Sequence, residues 1–108
     1  MPFITIQTKK SNNKINIEEF GRTLSHNMKI SLDRINIIVK YFEEEDVFFG
    51  SGNDYIVISI WVSEVNEKEF IDDLFNEVKH LAGNLLNNSF RISVICNIVK
   101  EGHLALIH

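Results

Sequence analysis

Runs of apolar residues predict four β-strands along the chain. Residues 3–8 are rich in β-forming side chains, and residues 55–62 are almost all apolar, as expected for a strand covered on both faces. A second apolar run occupies residues 35–42, and apolar and polar side chains alternate through residues 90–99. We therefore predict strands over these four ranges.

Two amphipathic helices are predicted, one after the first strand and one after the third. Asn16 can cap the first helix, with Glu19 three residues later in the capping-box position, and Asn66 and Glu69 repeat this pattern before the second helix. Apolar residues then recur at spacings of three and four, which marks one face of each helix. They are Ile17, Phe20, Leu24 and Met28 in the first helix, and Phe70, Leu74, Val78, Leu81 and Leu85 in the second. Residues 100–108 are predicted either to add a short edge strand or to remain irregular.

The two halves of the chain match each other. Residues 16–20 and 66–70 share the cap, the box and the aromatic residue, and each helix lies between two apolar strands. Because a strand-helix-strand crossover is right-handed in about 98% of cases, each half is predicted to be a right-handed β-α-β unit with parallel strands. The predicted fold class is α+β (α/β-type). Residues 1–108 form a single domain, with repeats at approximately 2–50 and 54–108, one sheet, and both helices on one sheet face.

This arrangement leaves the second sheet face without helices. An apolar face of that size needs a cover, and another subunit is the simplest one. A chain of 108 residues also buries a modest fraction of its surface, so self-association would help it.

Composition narrows the function classes. The net charge of −4 is spread along the chain without a basic stripe, which argues against nucleic acid as a partner. The apolar runs are too short to span a membrane, and the first ten residues lack the apolar region of a signal peptide. Cys96 is the only cysteine, so no internal disulfide forms and a reducing cytoplasm is predicted. The four histidines show no metal-ligand spacing, and neither a metal nor a cofactor is predicted.

Pro2 is the first candidate for chemistry. It follows Met1 directly and leads into the first strand. Removal of the methionine would expose a secondary amine, and an apolar pocket with nearby cations would shift that amine towards its neutral, basic form. The alternative is that a small residue at this position is common and that proline merely resists fraying.

The chain resembles the tautomerase superfamily, which includes 4-oxalocrotonate tautomerase and macrophage migration inhibitory factor. The resemblance rests on the opening Met-Pro-Phe-Ile-Thr-Ile, on the duplicated β-α-β unit, and on the passage from residues 35–38 to the aromatic-glycine pair Phe49-Gly50. It implies a homotrimer in which the amino-terminal proline acts as general base and acid on a small keto acid. It also implies cationic residues that hold the substrate carboxylate.

The resemblance places substrate-binding positions unevenly on this chain. Lys9 and Lys10 stand where the short members of the superfamily have an arginine after strand one. The second-strand arginine of those members falls near Asn36, so that cation is missing here.

The last strand supplies the best predicted carboxylate-binding residue. Arg91 and Ser93 lie near the positions of a tyrosine and an asparagine in the cytokine-like members. A guanidinium group binds a carboxylate through two hydrogen bonds, although an arginine on a solvated strand face is an equally ordinary finding. Phe49 could form a wall of the pocket, or belong to the core.

Two other readings stay open. One is a non-catalytic relative that keeps the fold as an assembly or binding module, which the weak match of cations favours. The other is a ferredoxin-like regulatory domain that binds a small metabolite, because two β-α-β units also fit that fold.

Overall fold

The computed structural model describes residues 2–10, 14–86, 89–103, 105 and 107. Within them it contains four strands, two α-helices and two short 3₁₀ turns, Leu32–Arg34 and Glu44–Asp46. The longer elements, in chain order, are β1 (Phe3–Lys9), α1 (Ile17–Met28), β2 (Asn36–Phe42), β3 (Tyr55–Ser63), α2 (Lys68–Leu85) and β4 (Arg91–Val99). No helix in this described part of the chain is long and apolar enough to cross a membrane.

The four strands form one mixed sheet in the order β2-β1-β3-β4. Strands β1 and β2 are parallel neighbours, and so are β3 and β4, whereas β1 and β3 pair antiparallel at the centre. The predicted fold class is confirmed: two β-α-β units share one sheet. The ferredoxin-like alternative is wrong, because in that split β-α-β arrangement another strand separates each parallel pair.

The core lies between the sheet and both helices. Every second residue of the central strands is fully buried, and these residues pack with both helices in a single cluster, which places α1 and α2 on the same sheet face. The strand residues are Ile4, Ile6, Ile56, Ile58 and Ile60, and the helix residues include Phe20, Leu24, Leu74 and Val78.

Neither of the two described helices packs on the other sheet face, which we call the uncovered face. Large apolar side chains from all four strands remain partly exposed there: Phe3 (36%), Ile38 (49%), Trp61 (46%) and Ile95 (46%). The prediction that β3 is covered on both faces is therefore not met within one chain. Its odd-numbered residues from Tyr55 to Ser63 are half-buried or exposed, because they point away from the helices.

The two predicted helix caps have different outcomes. The Asn16 side chain accepts a hydrogen bond from the Glu19 amide at 3.0 Å, which confirms the first cap. The second is wrong: Glu67 is the residue before α2, and no side chain caps that helix. The Asn66 side chain instead donates to the Ser63 carbonyl at 3.0 Å. The side-chain amide of Asn66 is therefore engaged in the turn after β3 and does not cap α2.

The predicted strands agree with the structure to within one residue at either end. The possible edge strand in the tail is not formed by residues 100–103, 105 and 107. The remaining tail residues lie outside the described part of the chain.

Two apolar residues of α1 test where the core lies. Leu24 is fully buried and Ile17 is 37% exposed, although both lie on the predicted apolar face. We expect Leu24→Ala to lower the free energy of unfolding by about 3 kcal/mol, because it leaves a cavity. Ile17→Ala should cost less than half as much in the same urea titration. Equal losses would contradict this description of the core.

Candidate functional site

Pro2 lies at the head of the central strand β1. Its side chain is fully buried. Its carbonyl oxygen accepts a hydrogen bond from the backbone N–H of Asn36 at 3.4 Å. Asn36 is the first residue of β2 and is paired with Phe3. The structure thus brings together two of the residues predicted from the sequence.

The side chain of Asn36 contains a buried donor. Its Nδ2 atom is shielded from solvent and has no hydrogen-bond partner among the described residues. A buried donor without a partner costs about 1–3 kcal/mol, and such groups are rare in native proteins. This amide is available to an acceptor from a ligand or from a neighbouring chain.

Three other predicted residues, Lys9, Lys10 and Arg91, lie at the opposite end of the sheet. Trp61 of β3 pairs with Phe3 beside Pro2, whereas Arg91 pairs with Tyr55, six residues earlier in β3. At about 3.3 Å per residue this separation is roughly 20 Å. Within one chain, Arg91 therefore does not meet Pro2.

The two lysines at that end already have carboxylate partners. The Lys10 Nζ atom lies 3.0 Å from Glu43, and the Lys9 Nζ atom lies 3.5 Å from Asp54 and 3.7 Å from Glu44. Both lysines are thus paired with carboxylates of the same chain.

Arg91 differs from the lysines in this respect. Among the described residues it forms no ion pair with a carboxylate, and it is exposed. Ser93, two positions along β4, lies on the same sheet face and is paired with Val57. Arg91 is the predicted cation best able to accept the carboxylate of a ligand.

Tyr55 is a candidate that the sequence did not reveal. It is the direct cross-strand partner of Arg91, and hydrogen bonds from the Ser51 side chain and then from Arg91 lower the pKa of Tyr55 below its ordinary value of 10.0. Its ring lies 4.9 Å from that of Phe49. In the sequence Tyr55 is only the first residue of an apolar run, and nothing there indicates that β4 places an arginine beside it.

Phe49 is held in a small aromatic cluster. Its ring packs edge-on against that of Phe42 at 6.3 Å, and it contacts Tyr55 on the other side. The predicted wall residue therefore lies at the Arg91 end of the sheet, where it supports Tyr55.

A groove of about 270 Å³ lies on the helix side of the sheet. It is lined by Ile17, Gly21, Leu32 and Ile37 and by the charged Arg22, and Arg22 is paired with Glu18 at 3.0 Å. Pro2, Tyr55 and Arg91 do not line it, so this groove is separate from both groups of candidate residues.

Histidine, cysteine and carboxylate side chains were the remaining candidates for a metal or thiol site. In the residues that the structure describes, no three of His, Cys, Asp or Glu come together as metal ligands. Burial raises the pKa of the Cys96 thiol, and the Asp72 carboxylate raises it further. Cys96 is therefore a poor nucleophile.

Comparisons by sequence found no protein family and no curated protein that match this chain. Solved structures with the same fold are numerous. A wild-type fused 4-OT, described as a symmetric trimer, is 13% identical, with 97% of this chain and 93% of that chain covered and a TM-score of 0.72.

Two other fold neighbours extend this similarity. A protein crystallised after inactivation by 2-oxo-3-pentynoate is 8% identical, with 96% of this chain and 90% of that chain covered and a TM-score of 0.75. A domain of unknown function (DUF1904) from Sebaldella termitidis is 13% identical, with coverages of 98% and 95% and a TM-score of 0.65. At these identities the similarity concerns the fold. The predicted resemblance to the tautomerase superfamily is confirmed at that level.

The hydrogen bonds to Tyr55 predict how its phenol titrates. Because both donors stabilise the phenolate, Ser51→Ala and Arg91→Gln should each move the pKa of Tyr55 up towards 10.0. Phenolate absorbance against pH measures this shift, with Tyr55→Phe subtracting the other tyrosine. Arg34→Gln, in the turn beside α1, is the matched control and should leave the titration unchanged. An unaltered curve in Arg91→Gln would contradict the assignment.

Proposed function

We propose that this chain, which has the tautomerase fold, is a homotrimeric cytoplasmic keto-enol tautomerase that uses the free amine of Pro2 as general base on a small keto acid. The position of Pro2 is the observation that carries the proposal. Pro2 is buried at the head of a strand that is paired on both sides, and its carbonyl accepts a hydrogen bond from the backbone amide of Asn36.

The setting of Pro2 favours a neutral amine. Pro2 is fully buried itself, and Ile4 and Ile6, which follow it in the same strand, belong to the apolar core. Such surroundings disfavour an ammonium ion. The neutral form is the one that can accept a proton.

A cyclic trimer would bring the two ends of the sheet together. In a closed ring of identical subunits with head-to-tail contacts, different patches of neighbouring copies meet. The Arg91 end of one subunit can then approach the Pro2 end of the next. The exposed apolar residues of the uncovered face supply the area for such a contact, and a fused 4-OT with the same fold is described as a symmetric trimer.

In this proposal the reaction transfers one proton from oxygen to carbon, with no net uptake or release of protons. The Pro2 nitrogen takes the proton from the enol hydroxyl of the substrate and returns it to the neighbouring carbon, which forms the ketone. Arg91 from the adjacent subunit holds the carboxylate through two hydrogen bonds, and the Asn36 amide donates to a substrate oxygen. A proton transfer of this kind needs no cofactor.

A non-catalytic binding module is the second candidate function. The pairing of Lys9 and Lys10 with Glu43, Glu44 and Asp54 favours it, because fewer cations remain to hold the carboxylate of a substrate. This module would keep the trimer and bind carboxylates through Arg91.

Assembly can be tested on the uncovered face. We expect the wild-type protein to be a trimer at micromolar concentration, and Ile95→Asp to dissociate it because the change places a charge among apolar residues. Val65→Asp is the matched control, since Val65 is 66% exposed and follows the end of β3; it should stay trimeric. Light scattering gives the mass. A wild-type monomer would overturn the proposed assembly.

The chemistry depends on whether Pro2 carries a free amine. Protein without Met1 should accelerate ketonisation of phenylenolpyruvate, and protein that retains Met1 should be at least about 100-fold slower, because an amide nitrogen has no available lone pair. The rate of the Met1-free form should rise with pH as the amine loses its proton. Mass spectrometry establishes which form is assayed.

Two controls separate the amine from the fold. Pro2→Ala keeps a primary amine after methionine removal and should weaken the activity without abolishing it. An electron-poor alkyne such as 2-oxo-3-pentynoate, which inactivates one of the fold neighbours, should label the Met1-free protein once per chain and leave the Met1-bearing protein unlabelled. Equal turnover by both forms would rule out the mechanism. No turnover by either form would favour the binding module.

A further inference from the structure

We infer that Tyr55 recognises the keto or enol oxygen of the substrate, beside the carboxylate that Arg91 holds. The inference rests on the proposed function in one respect, the use of Arg91 to bind a carboxylate. Tyr55 belongs to β3, whereas Arg91 belongs to β4. Its hydroxyl would let the site select 2-oxo acids over simple carboxylic acids.

The pairing of β3 with β4 fixes the positions of the two side chains. Tyr55 and Arg91 are direct cross-strand partners at the first residue of each strand, and neighbouring strands lie about 4.8 Å apart. Both residues belong to the uncovered face. In a 2-oxo acid the carboxylate and the keto oxygen are on adjacent carbons, so a ligand bound to Arg91 presents its second oxygen within reach of the Tyr55 hydroxyl.

The hydrogen bond with Arg91 leaves the phenol proton of Tyr55 unused. An arginine can only donate hydrogen bonds, so its hydrogen bond with Tyr55 ends on the phenol oxygen. The phenol proton can then be donated to a ligand oxygen in a hydrogen bond. A phenol with a lowered pKa is also a stronger donor to an oxygen that gains negative charge.

The surrounding residues hold the ring in place. Phe49 contacts it at 4.9 Å between ring centres, and Phe42 supports Phe49 from the other side at 6.3 Å. Side-chain ordering costs free energy when a ligand binds, and a residue that is already fixed avoids this cost. Tyr55 only donates a hydrogen bond and keeps its proton. The proton that moves from the enol oxygen to carbon is carried by Pro2 alone.

Binding of two matched ligands tests this role without any turnover. We would titrate the Met1-free protein with 2-oxobutanoate and with butanoate, which lacks the keto oxygen, and follow NMR chemical shifts. The wild-type protein should prefer the keto acid, and Tyr55→Phe should weaken 2-oxobutanoate binding about 3- to 10-fold while leaving butanoate unchanged. Arg91→Gln should weaken both ligands. Tyr41→Phe, a change of the other tyrosine, in edge strand β2, should preserve the preference.

The titrations distinguish a role of Tyr55 in ligand recognition from a purely structural role. Loss of keto preference in Tyr55→Phe supports the inference even if no enol is turned over, a result that would remove the tautomerase proposal alone. An unchanged preference, equal weakening of both ligands, or no preference in the wild-type protein would overturn it. If Tyr55→Phe does not fold, Ser51→Ala replaces it. That variant raises the pKa of Tyr55, weakens the donor and should reduce the preference.

Discussion

The antiparallel pairing of β1 with β3 is the interaction on which the rest of the structure depends. It is the junction between the two β-α-β units of the sheet, and it aligns the isoleucines of both strands in one buried row. Because that row faces the helices, α1 and α2 pack on the same side. The odd-numbered residues of both strands therefore lie on the uncovered face, and Pro2 and Tyr55 lie at opposite ends of the sheet along the strand direction.

Patterning along the chain was sufficient for the elements and the fold class, because alternation and helical spacing are local properties. It failed where two elements compete for one side chain: Asn66 has the spacing of a helix cap, but the turn after β3 binds its amide. It also failed where chemistry depends on register. The parallel strands of each β-α-β unit were predicted from the duplicated pattern, whereas the position of Tyr55 beside Arg91 follows only from the register of β3 with β4. The carboxylate partners of Lys9 and Lys10 likewise come from a loop whose path the sequence does not indicate.

Charge at the far end of the sheet is arranged so that the cations are not equivalent. Glu43, Glu44 and Asp54 pair with the lysines, while Arg91 has Tyr55 as its cross-strand neighbour. Among the described residues Arg91 forms no ion pair with a carboxylate, whereas both lysines do. The acidic residues between β2 and β3 thus pair with the lysines and leave the Arg91 guanidinium without a carboxylate partner among the described residues.

The central position of β1 also has a consequence for the order of events during synthesis. Of the four described strands, β1 is synthesised first and, like β3, needs two partners; its second partner, β3, is complete only when residue 63 has been made. Pairings between distant segments close slowly, because the entropy of the intervening chain must be lost first. The earliest part of the chain is therefore among the last to be finished, and the surroundings of Pro2 are assembled only when both halves have met.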